Sequence, residues 1–313
     1  MKYFRKLEIK TIIIAFFCVA AICSCNNDEI YEREQYKVVF ALVSDDDHNV
    51  FKVAHDLDEQ ESVGYVVASC GGSNPTEMDT RVTLVQTVEP FNKYNKDKFD
   101  VELDKFANRL SAGKFSIDSY DFTIPAGGRS GRMAIKVRPA GLSPDSVYFI
   151  PLKVDTYSAY EVNPDKSDVL YQVMIKNRYA TQAATTNYTL RGTRDGVDVM
   201  GVKQMHPISS NRVRIMAGTD AFQSDISIIN SSCIILTVGN DNKVSISPFK
   251  NITVEQVDGD TDFPNIFTID DDGYNIYKTF LLSYKYTLGT TTYTMREELR
   301  IKLEEDEKEK FNL

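Results

Sequence analysis

Short runs rich in β-branched and aromatic residues recur along the 313-residue sequence from Lys37 to its end, and they constrain the fold more than any other feature. Clusters of Gly, Asn, Asp and Pro separate these runs, for example SDDDHN after Val43 and PAGGRSG after Ile124. Strands produce this pattern because alternate side chains face a core and turn residues reverse the chain between them. The sequence therefore predicts an all-β protein.

In the first half of the chain, the predicted strands lie at Lys37–Val43, Val63–Ser69, Arg81–Val88, Tyr120–Ile124, Arg132–Val137, Tyr148–Val154 and Val169–Ile175. The stretch Lys93–Lys114 breaks the pattern. Its apolar residues Phe99, Leu103, Phe106 and Leu110 are spaced three or four residues apart, which predicts a short helix or a helical turn.

The second half follows a polar segment, Asn177–Asn187, which has little to bury and no alternation. The predicted strands there lie at Tyr188–Arg191, Val197–Met205, Arg212–Ala217, Cys233–Val238, Val244–Pro248, Ile252–Gln256, Ile266–Ile269, Tyr277–Leu288 and Thr291–Leu303. Gly239–Asn242 and Gly289–Thr290 have the residues of hairpin loops. We predict β domains over residues 37–177 and 188–313 with a linker over 178–187, and a solvated end that frays at Glu304–Lys310.

The first ten residues, MKYFRKLEIK, are positively charged, and the apolar run Thr11–Cys23 follows them. This run is shorter than the ~20 residues that span a bilayer, and the combination is typical of a secretory signal. Ile22–Cys25 resembles the lipobox of bacterial lipoproteins, which implies a signal peptide over residues 1–24 and lipid attachment at Cys25. Ordinary signal cleavage that leaves a free Cys25 is the alternative.

Residues 25–36 are polar and acidic, which predicts a tether between the lipid and the folded domains. Asp28 and Glu29 resemble the signal that sends Bacteroidota lipoproteins to the outer face of the outer membrane, although acidic residues are also common in plain linkers. Residues 1–24 carry four basic residues and one acidic residue, so their removal lowers the net charge from −9 to −12. Such acidity argues against nucleic acid as a partner.

Of the five cysteines, only Cys70 and Cys233 would remain as thiols in the folded domains. Two cysteines in different predicted domains do not form a disulfide framework, and a protein of this size buries a core without one. We expect each to be a small buried hydrophobic residue on a strand.

The stretch Ser116–Asn177 resembles the N-terminal immunoglobulin-like domain of a family of Bacteroidota surface lipoproteins. The matching residues are Tyr120, Ile124-Pro125-Ala126-Gly127, Leu142-Ser143 and Phe149-Ile150-Pro151-Leu152. MHPISSNRVRIMAG at Met205–Gly218, ITVEQVDGDTDFPNIF at Ile252–Phe267 and MREELR at Met295–Arg300 resemble the C-terminal domain of that family.

The resemblance implies an immunoglobulin-like β-sandwich followed by a second antiparallel β-sandwich or flattened barrel. It also implies capture of carbohydrate at the surface, because genes of this family often lie beside those of outer-membrane glycan importers. It supplies no catalytic or binding residue.

Enzyme motifs are absent from the sequence, which has no H-E-x-x-H, C-x-x-C, P-loop or G-x-G-x-x-G and no G-x-S-x-G elbow. The three histidines, His48, His55 and His206, have no metal-ligand spacing, and we predict no metal or other cofactor. Asp258, Asp260 and Asp262 alternate as in a calcium loop, but the glycine and the bidentate Glu of that loop are missing. An acidic inter-strand loop is the simpler interpretation, and calcium remains the alternative.

Sugar sites commonly stack an aromatic ring on a pyranose face, and this chain has no Trp, so the ring must belong to Tyr or Phe. Tyr160 and Tyr274, both beside polar loops, are our candidate ligand-binding residues, with cross-strand packing as the alternative role for each. Tyr157, Phe91, Tyr94 and Tyr277 occupy similar positions.

We therefore expect a lipid-anchored outer-membrane protein that binds glycan without catalysis and assists an importer. A structural or adhesive protein that binds other proteins through strand edges is one alternative. A carbohydrate-active enzyme is the other, because two carboxylates about 5–10 Å apart leave no motif in a sequence.

Overall fold

The computed structural model describes residues 38–72 and 74–311, which form two β domains. Cys25, the predicted signal peptide and the predicted tether lie outside the described residues. In the described part of the chain, no helix is long and apolar enough to cross a membrane.

The first domain is a sandwich of two sheets. Its strands are β1 (Val39–Leu42), β2 (Val50–Asp56), β3 (Ser62–Gly71), β4 (Thr80–Gln86), β5 (Asn108–Arg109), β6 (Phe115–Ser116), β7 (Asp121–Ile124), β8 (Ser130–Val137), β9 (Tyr148–Tyr157), β10 (Glu161–Val162) and β11 (Asp168–Lys176). One sheet has the order β10-β1-β3-β8-β6, and the other has the order β2-β11-β9-β4-β7 with β5 paired to β9. Helix α1 (Glu89–Phe99) lies between β4 and β5.

The core of the first domain lies between these two sheets. Along β3, side chains alternate between buried and more exposed positions, as expected for a strand with one face on the core. Phe40, Ile135, Leu152 and Tyr171 are among the buried side chains contributed by both sheets. Burial of each large apolar side chain of this kind stabilises the domain by about 1.5–3 kcal/mol.

The second domain is a single curled sheet that nearly closes into a barrel. Its strands are β12 (Thr186–Arg194), β13 (Val197–Ser209), β14 (Arg212–Met216), β15 (Cys233–Val238), β16 (Val244–Pro248), β17 (Thr253–Gln256), β18 (Ile266–Asp271), β19 (Ile276–Leu288) and β20 (Thr291–Lys302), with helix α2 (Ile226–Ser232) before β15. The order is β16-β15-β14-β13-β12-β20-β19-β17, and β18 also pairs with β19. Closure comes from the backbone N–H groups of Val244 and Phe267, which donate to the carbonyls of Asn265 and Asn242 at 2.8 Å each.

The all-β fold class is confirmed, and so are both predicted hairpins. Val238 pairs with Val244 across Gly239–Asn242, and Leu288 pairs with Thr291 across a two-residue loop. Cys70 and Cys233 are free and buried on β3 and β15, as predicted.

A short helix and a helical turn are present in the stretch Lys93–Lys114, as predicted, but the helix begins before that stretch. Helix α1 begins at Glu89, next to Pro90, and ends at Phe99, because Asp100 takes a left-handed conformation with φ of 50°. Beyond it the chain forms β5, and the Leu110 N–H donates to the Phe149 carbonyl at 2.8 Å. Pairing with β9 satisfies this backbone better than a second half of the helix would.

Strand β2 was missed by the sequence analysis. Its sequence, VFKVAHD, lacks clean alternation, and the strand is paired in parallel along its whole length with β11. His55 on β2 is fully buried, and its Nε2 lies 3.0 Å from the Tyr171 hydroxyl oxygen. This burial lowers the pKa of His55 to about 4.

The polar segment Asn177–Asn187 between the domains has more buried side chains than its composition indicates. Tyr179 is 4% exposed and its ring packs edge-on against Phe267 and Phe280, with centroids 5.0 and 5.8 Å apart. The prediction that Glu304–Lys310 frays in solvent is also wrong, because Glu305–Phe311 forms a 3-10 helix in contact with both domains.

Candidate functional site

The two domains meet through a buried ion pair. Arg214 on β14 is fully buried and donates from both terminal nitrogens to the two carboxylate oxygens of Asp145, each at 2.5 Å. Gln182 adds a second contact, because its side-chain amide donates to the Pro144 carbonyl at 2.8 Å. A bidentate Arg–carboxylate pair restricts the relative orientation of its partners, so it holds the two domains in a defined arrangement.

A cleft of about 930 Å³ opens beside this ion pair, and we call it the interdomain cleft. Its walls come from both domains and combine aromatic rings with amide, hydroxyl and charged side chains. The first domain contributes Phe99, Asp104, Lys105, Phe106, Asn108, Ser143, Asp145, Ser146 and Val147, and the second contributes Ser224, Asp225, Ile226, Asn230, Phe249 and Lys250.

Three half-buried phenylalanines supply the apolar surface of the interdomain cleft. Phe99 is the last residue of α1, and Phe106 follows the 3-10 turn Leu103–Lys105, which places their ring centroids 6.3 Å apart. On the opposite wall, Phe249 follows β16, and the Arg214 guanidinium lies 4.8 Å from its ring centroid. The buried ion pair therefore supports one face of Phe249 while the ring lines the cleft.

Two of the three carboxylates that line the cleft have structural roles, and the third, Asp104, lies on the 3-10 turn Leu103–Lys105. Asp145 is paired with Arg214, a permanent cation. Asp225 caps α2 by accepting hydrogen bonds from the Ser227 hydroxyl at 2.6 Å and the Ser227 N–H at 2.7 Å. These hydrogen bonds from Ser227 lower the pKa of Asp225, whereas a general acid near neutral pH needs a raised one.

Tyr160 and Tyr274 lie outside the interdomain cleft. The Tyr160 hydroxyl accepts a hydrogen bond from the Glu77 N–H at 2.7 Å, and its ring packs against the first core. Tyr274 is 93% exposed at the tip of the β18–β19 hairpin. No contact between them is present among the described residues, and their roles in ligand binding stay predictions.

The other candidate aromatics have packing roles. Tyr94 contacts Phe149 edge-on at 4.8 Å between centroids, and Phe91 packs against the same small cluster. Tyr157 contacts Phe40 at 5.4 Å, and the Arg300 guanidinium lies 3.7 Å above the ring of Tyr277.

The acidic run at 258–262 forms a loop tied to the barrel. Asp260 binds the Arg296 Nε at 2.6 Å and accepts N–H hydrogen bonds from Asp262 and Phe263, while Asp258 accepts from the Gln256 amide at 2.6 Å. Over residues 38–72 and 74–311, no group of three or more His, Cys, Asp or Glu side chains has an arrangement that would hold a metal ion.

A buried polar network lies inside the barrel. Lys203 Nζ contacts the Glu297 carboxylate at 2.5 and 2.7 Å, and the Tyr284 hydroxyl donates to Glu297 at 2.8 Å. Burial raises the pKa of Glu297 and lowers that of Lys203, and their direct contact opposes both effects. Because these side chains bind one another, they stabilise the barrel and present no free nucleophile.

The sequence alone does not identify the residues of the interdomain cleft. Its spacing places Phe99 and Phe106 on the apolar face of a helix, and it indicates no role for Phe249. One local signal could indicate Phe249 as a binding residue: it is an aromatic residue inside a polar turn, the stretch Ser247–Asn251. Nothing local indicates that such turns from two domains meet.

Two family models match the chain. One is described as an N-terminal domain and matches residues 30–161, and its counterpart, described as the C-terminal domain, matches residues 167–300. Together they span both β domains in the order that the resemblance implied. The chain belongs to this two-domain family. No curated protein matches it.

Solved structures share the fold of this family member. A protein of unknown function from Bacteroides ovatus superposes with a TM-score of 0.58 at 13% identity, over 85% of this chain and 95% of that one. A second B. ovatus protein of unknown function gives 0.57 at 15% identity, over 87% and 93%. A protein from Bacteroides thetaiotaomicron described as an auxiliary nutrient binding protein gives 0.56 at 15% identity, over 82% and 92%. Identities this low show the fold alone.

Proposed function

We propose that the protein binds glycan without catalysis, in the interdomain cleft, while anchored through lipid on Cys25 at the outer face of the outer membrane. There it assists an importer of polysaccharide. The observation that carries this proposal is the lining of the cleft, where phenylalanine rings face a space that amides and hydroxyls also border. Such a combination suits sugars, which have an apolar ring face and a rim of hydroxyl groups.

The placement of the cleft also supports this proposal. Val39 at the start of β1 pairs with Gly71, the last residue of β3. The other end of β3, Ser62, is bonded to Asp56, which contacts Lys310 at the domain junction. The ten residues of β3 therefore separate the start of β1 from the junction by roughly 33 Å. A chain anchored at Cys25 and entering the fold at β1 would hold the junction at the far end of β3.

Two further observations favour binding over catalysis. Neither Asp145 nor Asp225 is free to act as a general acid, because one is paired with Arg214 and the other caps a helix. Asp104 therefore has no second free carboxylate in the cleft, and glycoside hydrolysis uses two. The structural neighbour described as an auxiliary nutrient binding protein has the same fold over most of both chains.

The test is an immobilised panel of oligosaccharides and polysaccharides, followed by calorimetric titration of the best neutral ligand. We expect Phe249→Ala and Phe106→Ala each to lower the affinity for that ligand by about tenfold, because each removes a stacking surface from the cleft. Thermal unfolding of each variant establishes that the fold is retained.

Tyr274→Ala is the matched control, since it removes an aromatic side chain that is 93% exposed and does not line the cleft. It should bind like the parent protein. A loss of affinity in Tyr274→Ala but not in Phe249→Ala would place the site at the β18–β19 hairpin. Absence of binding across the whole panel would refute the proposal.

One observation favours protein binding as a second candidate. Strand β13 pairs with β14 only from His206 onward, so Val197–Met205 has one edge without a paired strand among the described residues. Met200 on this segment is 84% exposed, and Val197 and Val202 are also exposed. An apolar open edge can accept a strand from a partner. Capture of a partner protein in the absence of sugar would support this function.

A further inference from the structure

The outer face of the barrel carries a groove of about 360 Å³ across β12, β20 and β19, and we call it the barrel groove. Three cations line it, Arg191, Arg300 and Lys302, together with Tyr277 and Glu298. This concentration of positive charge is unusual in a chain whose net charge is −9.

The strand register brings the cations of the barrel groove together. Arg300 pairs with Thr189, and Arg191 pairs with Glu298, so the two arginines are diagonal neighbours on one face. Diagonal positions of this kind are about 7–8 Å apart, within the reach of two long side chains. Lys302 follows Arg300 by two residues on the same face, roughly 7 Å along the strand.

Arg300 is held in a fixed orientation. Its guanidinium lies 3.7 Å above the centroid of the Tyr277 ring, a cation–π contact that restricts the movement of the side chain. Its Nε is buried and has no hydrogen-bond partner in the described structure. Thr279, the register partner of Arg300 on β19, is 2% exposed and its hydroxyl also lacks a partner there.

The cations of the groove form no direct ion pairs among the described residues. Within residues 38–72 and 74–311, no carboxylate oxygen lies within 4.0 Å of a charged nitrogen of Arg191, Arg300 or Lys302. Glu298 faces Arg191 in the register but does not pair with it. The nearby Asp272 accepts hydrogen bonds from the N–H groups of Asn275 and Tyr274, at 2.8 and 3.0 Å. These hydrogen bonds lower the pKa of Asp272, and a hydrogen bond with Tyr277 and the charge of Arg300 lower it further.

We propose that the barrel groove binds the carboxylate or sulfate group of an acidic glycan. A guanidinium pinned on an aromatic ring presents its terminal N–H groups as a preformed fork, which matches two oxygens of an anion. Arg191 and Lys302 add charge on either side. Charge elsewhere on the molecule is screened over about 8 Å at physiological ionic strength, so the local cations determine binding despite the acidic whole.

This site is separate from the interdomain cleft and does not depend on it. The cleft borders Phe99, Phe106 and Phe249 at the domain junction, whereas the barrel groove lies on the sheet face of the second domain. Failure of the barrel groove would therefore leave the cleft proposal intact.

The experiment titrates the purified full chain with three probes: polygalacturonate for the carboxylate, chondroitin sulfate for the sulfate, and neutral dextran. We expect at least one acidic polymer to bind more tightly than dextran. Arg191→Gln combined with Arg300→Gln should weaken that binding by about tenfold or more. The polymer that binds more tightly identifies the anionic group.

Two single lysine variants distinguish binding at the barrel groove from nonspecific attraction of polyanions to the protein. Lys302 on β20 and Lys285 on β19 are both exposed, and neither has an ion pair among the described residues. Only Lys302 lines the groove, so Lys302→Gln and Lys285→Gln remove the same charge inside and outside it. We expect severalfold weaker binding for Lys302→Gln and no change for Lys285→Gln. Equal losses in the two variants, or no binding of either acidic polymer, would overturn the proposal. Duplex DNA that competes as well as the acidic glycans would also overturn it.

Discussion

At the scale of single residues, the close approach of strands decides which side chains the first domain tolerates. Gly64 on β3 faces the buried pair of His55 and Tyr171. A Cβ on Gly64 would lie 1.9 Å from the Tyr171 hydroxyl oxygen and 3.0 Å from both His55 Cε1 and Val53 Cγ1. Real Cβ atoms do not approach other atoms so closely, so only glycine allows this packing.

We predict that Gly64→Ala lowers the free energy of unfolding by roughly 1–3 kcal/mol, because the added methyl group overpacks a buried site. Gly201→Ala is the control. Gly201 is also a strand glycine, but a Cβ there meets nothing within 4 Å. Urea denaturation of both variants measures the difference, and equal stabilities would contradict the packing argument.

At the scale of elements, the C-terminal 3-10 helix Glu305–Phe311 connects the two domains. Lys310 contacts Asp56 at the end of β2 in the first domain. Glu307 accepts two hydrogen bonds of 2.9 Å from Lys278 on β19, and Phe311 packs near Phe267. A segment whose composition indicates a solvated end is therefore held by contacts that its own sequence does not reveal.

Lys310→Ala should destabilise the protein by about 1–2 kcal/mol, because it leaves the largely buried Asp56 carboxylate without its partner. Lys308→Ala is the comparison, since Lys308 pairs only with the exposed Glu305 one turn away and such pairs contribute well under 1 kcal/mol. Thermal unfolding of the two variants tests this contrast. Identical melting temperatures would mean that the segment does not join the domains.

At the scale of the whole molecule, the Asp145–Arg214 pair couples the domains and shapes the interdomain cleft. Asp145→Ala would leave the fully buried Arg214 without a counter-charge, which costs about 3–5 kcal/mol. We predict that calorimetry then resolves two unfolding transitions, with the second domain unfolding first. Asp58→Ala is the control, because its contact with Arg178 is 3.5 Å long and partly exposed. A single unshifted transition in Asp145→Ala would show that other contacts couple the domains.

Much of the fold was predictable from the sequence because it depends on local patterns. Strands β15 (Cys233–Val238) and β16 (Val244–Pro248) have the same bounds in the structure as in the sequence prediction. Their alternation and turn residues depend on only a few neighbouring positions. Strands β2 and β5 were not predicted, because pairing with β11 and β9 overrode weak local preferences.

The sequence by itself determined the all-β class, the hairpins and the isolation of the two cysteines, because each follows from residues near one another in the chain. The tertiary structure decided the candidate sites. Asp145 and Arg214 are 69 positions apart, and the cleft beside them is formed by turns of two domains. The barrel groove likewise depends on the register that aligns β12 with β20. Sites of this kind arise from contacts between distant segments, and no local pattern encodes those contacts.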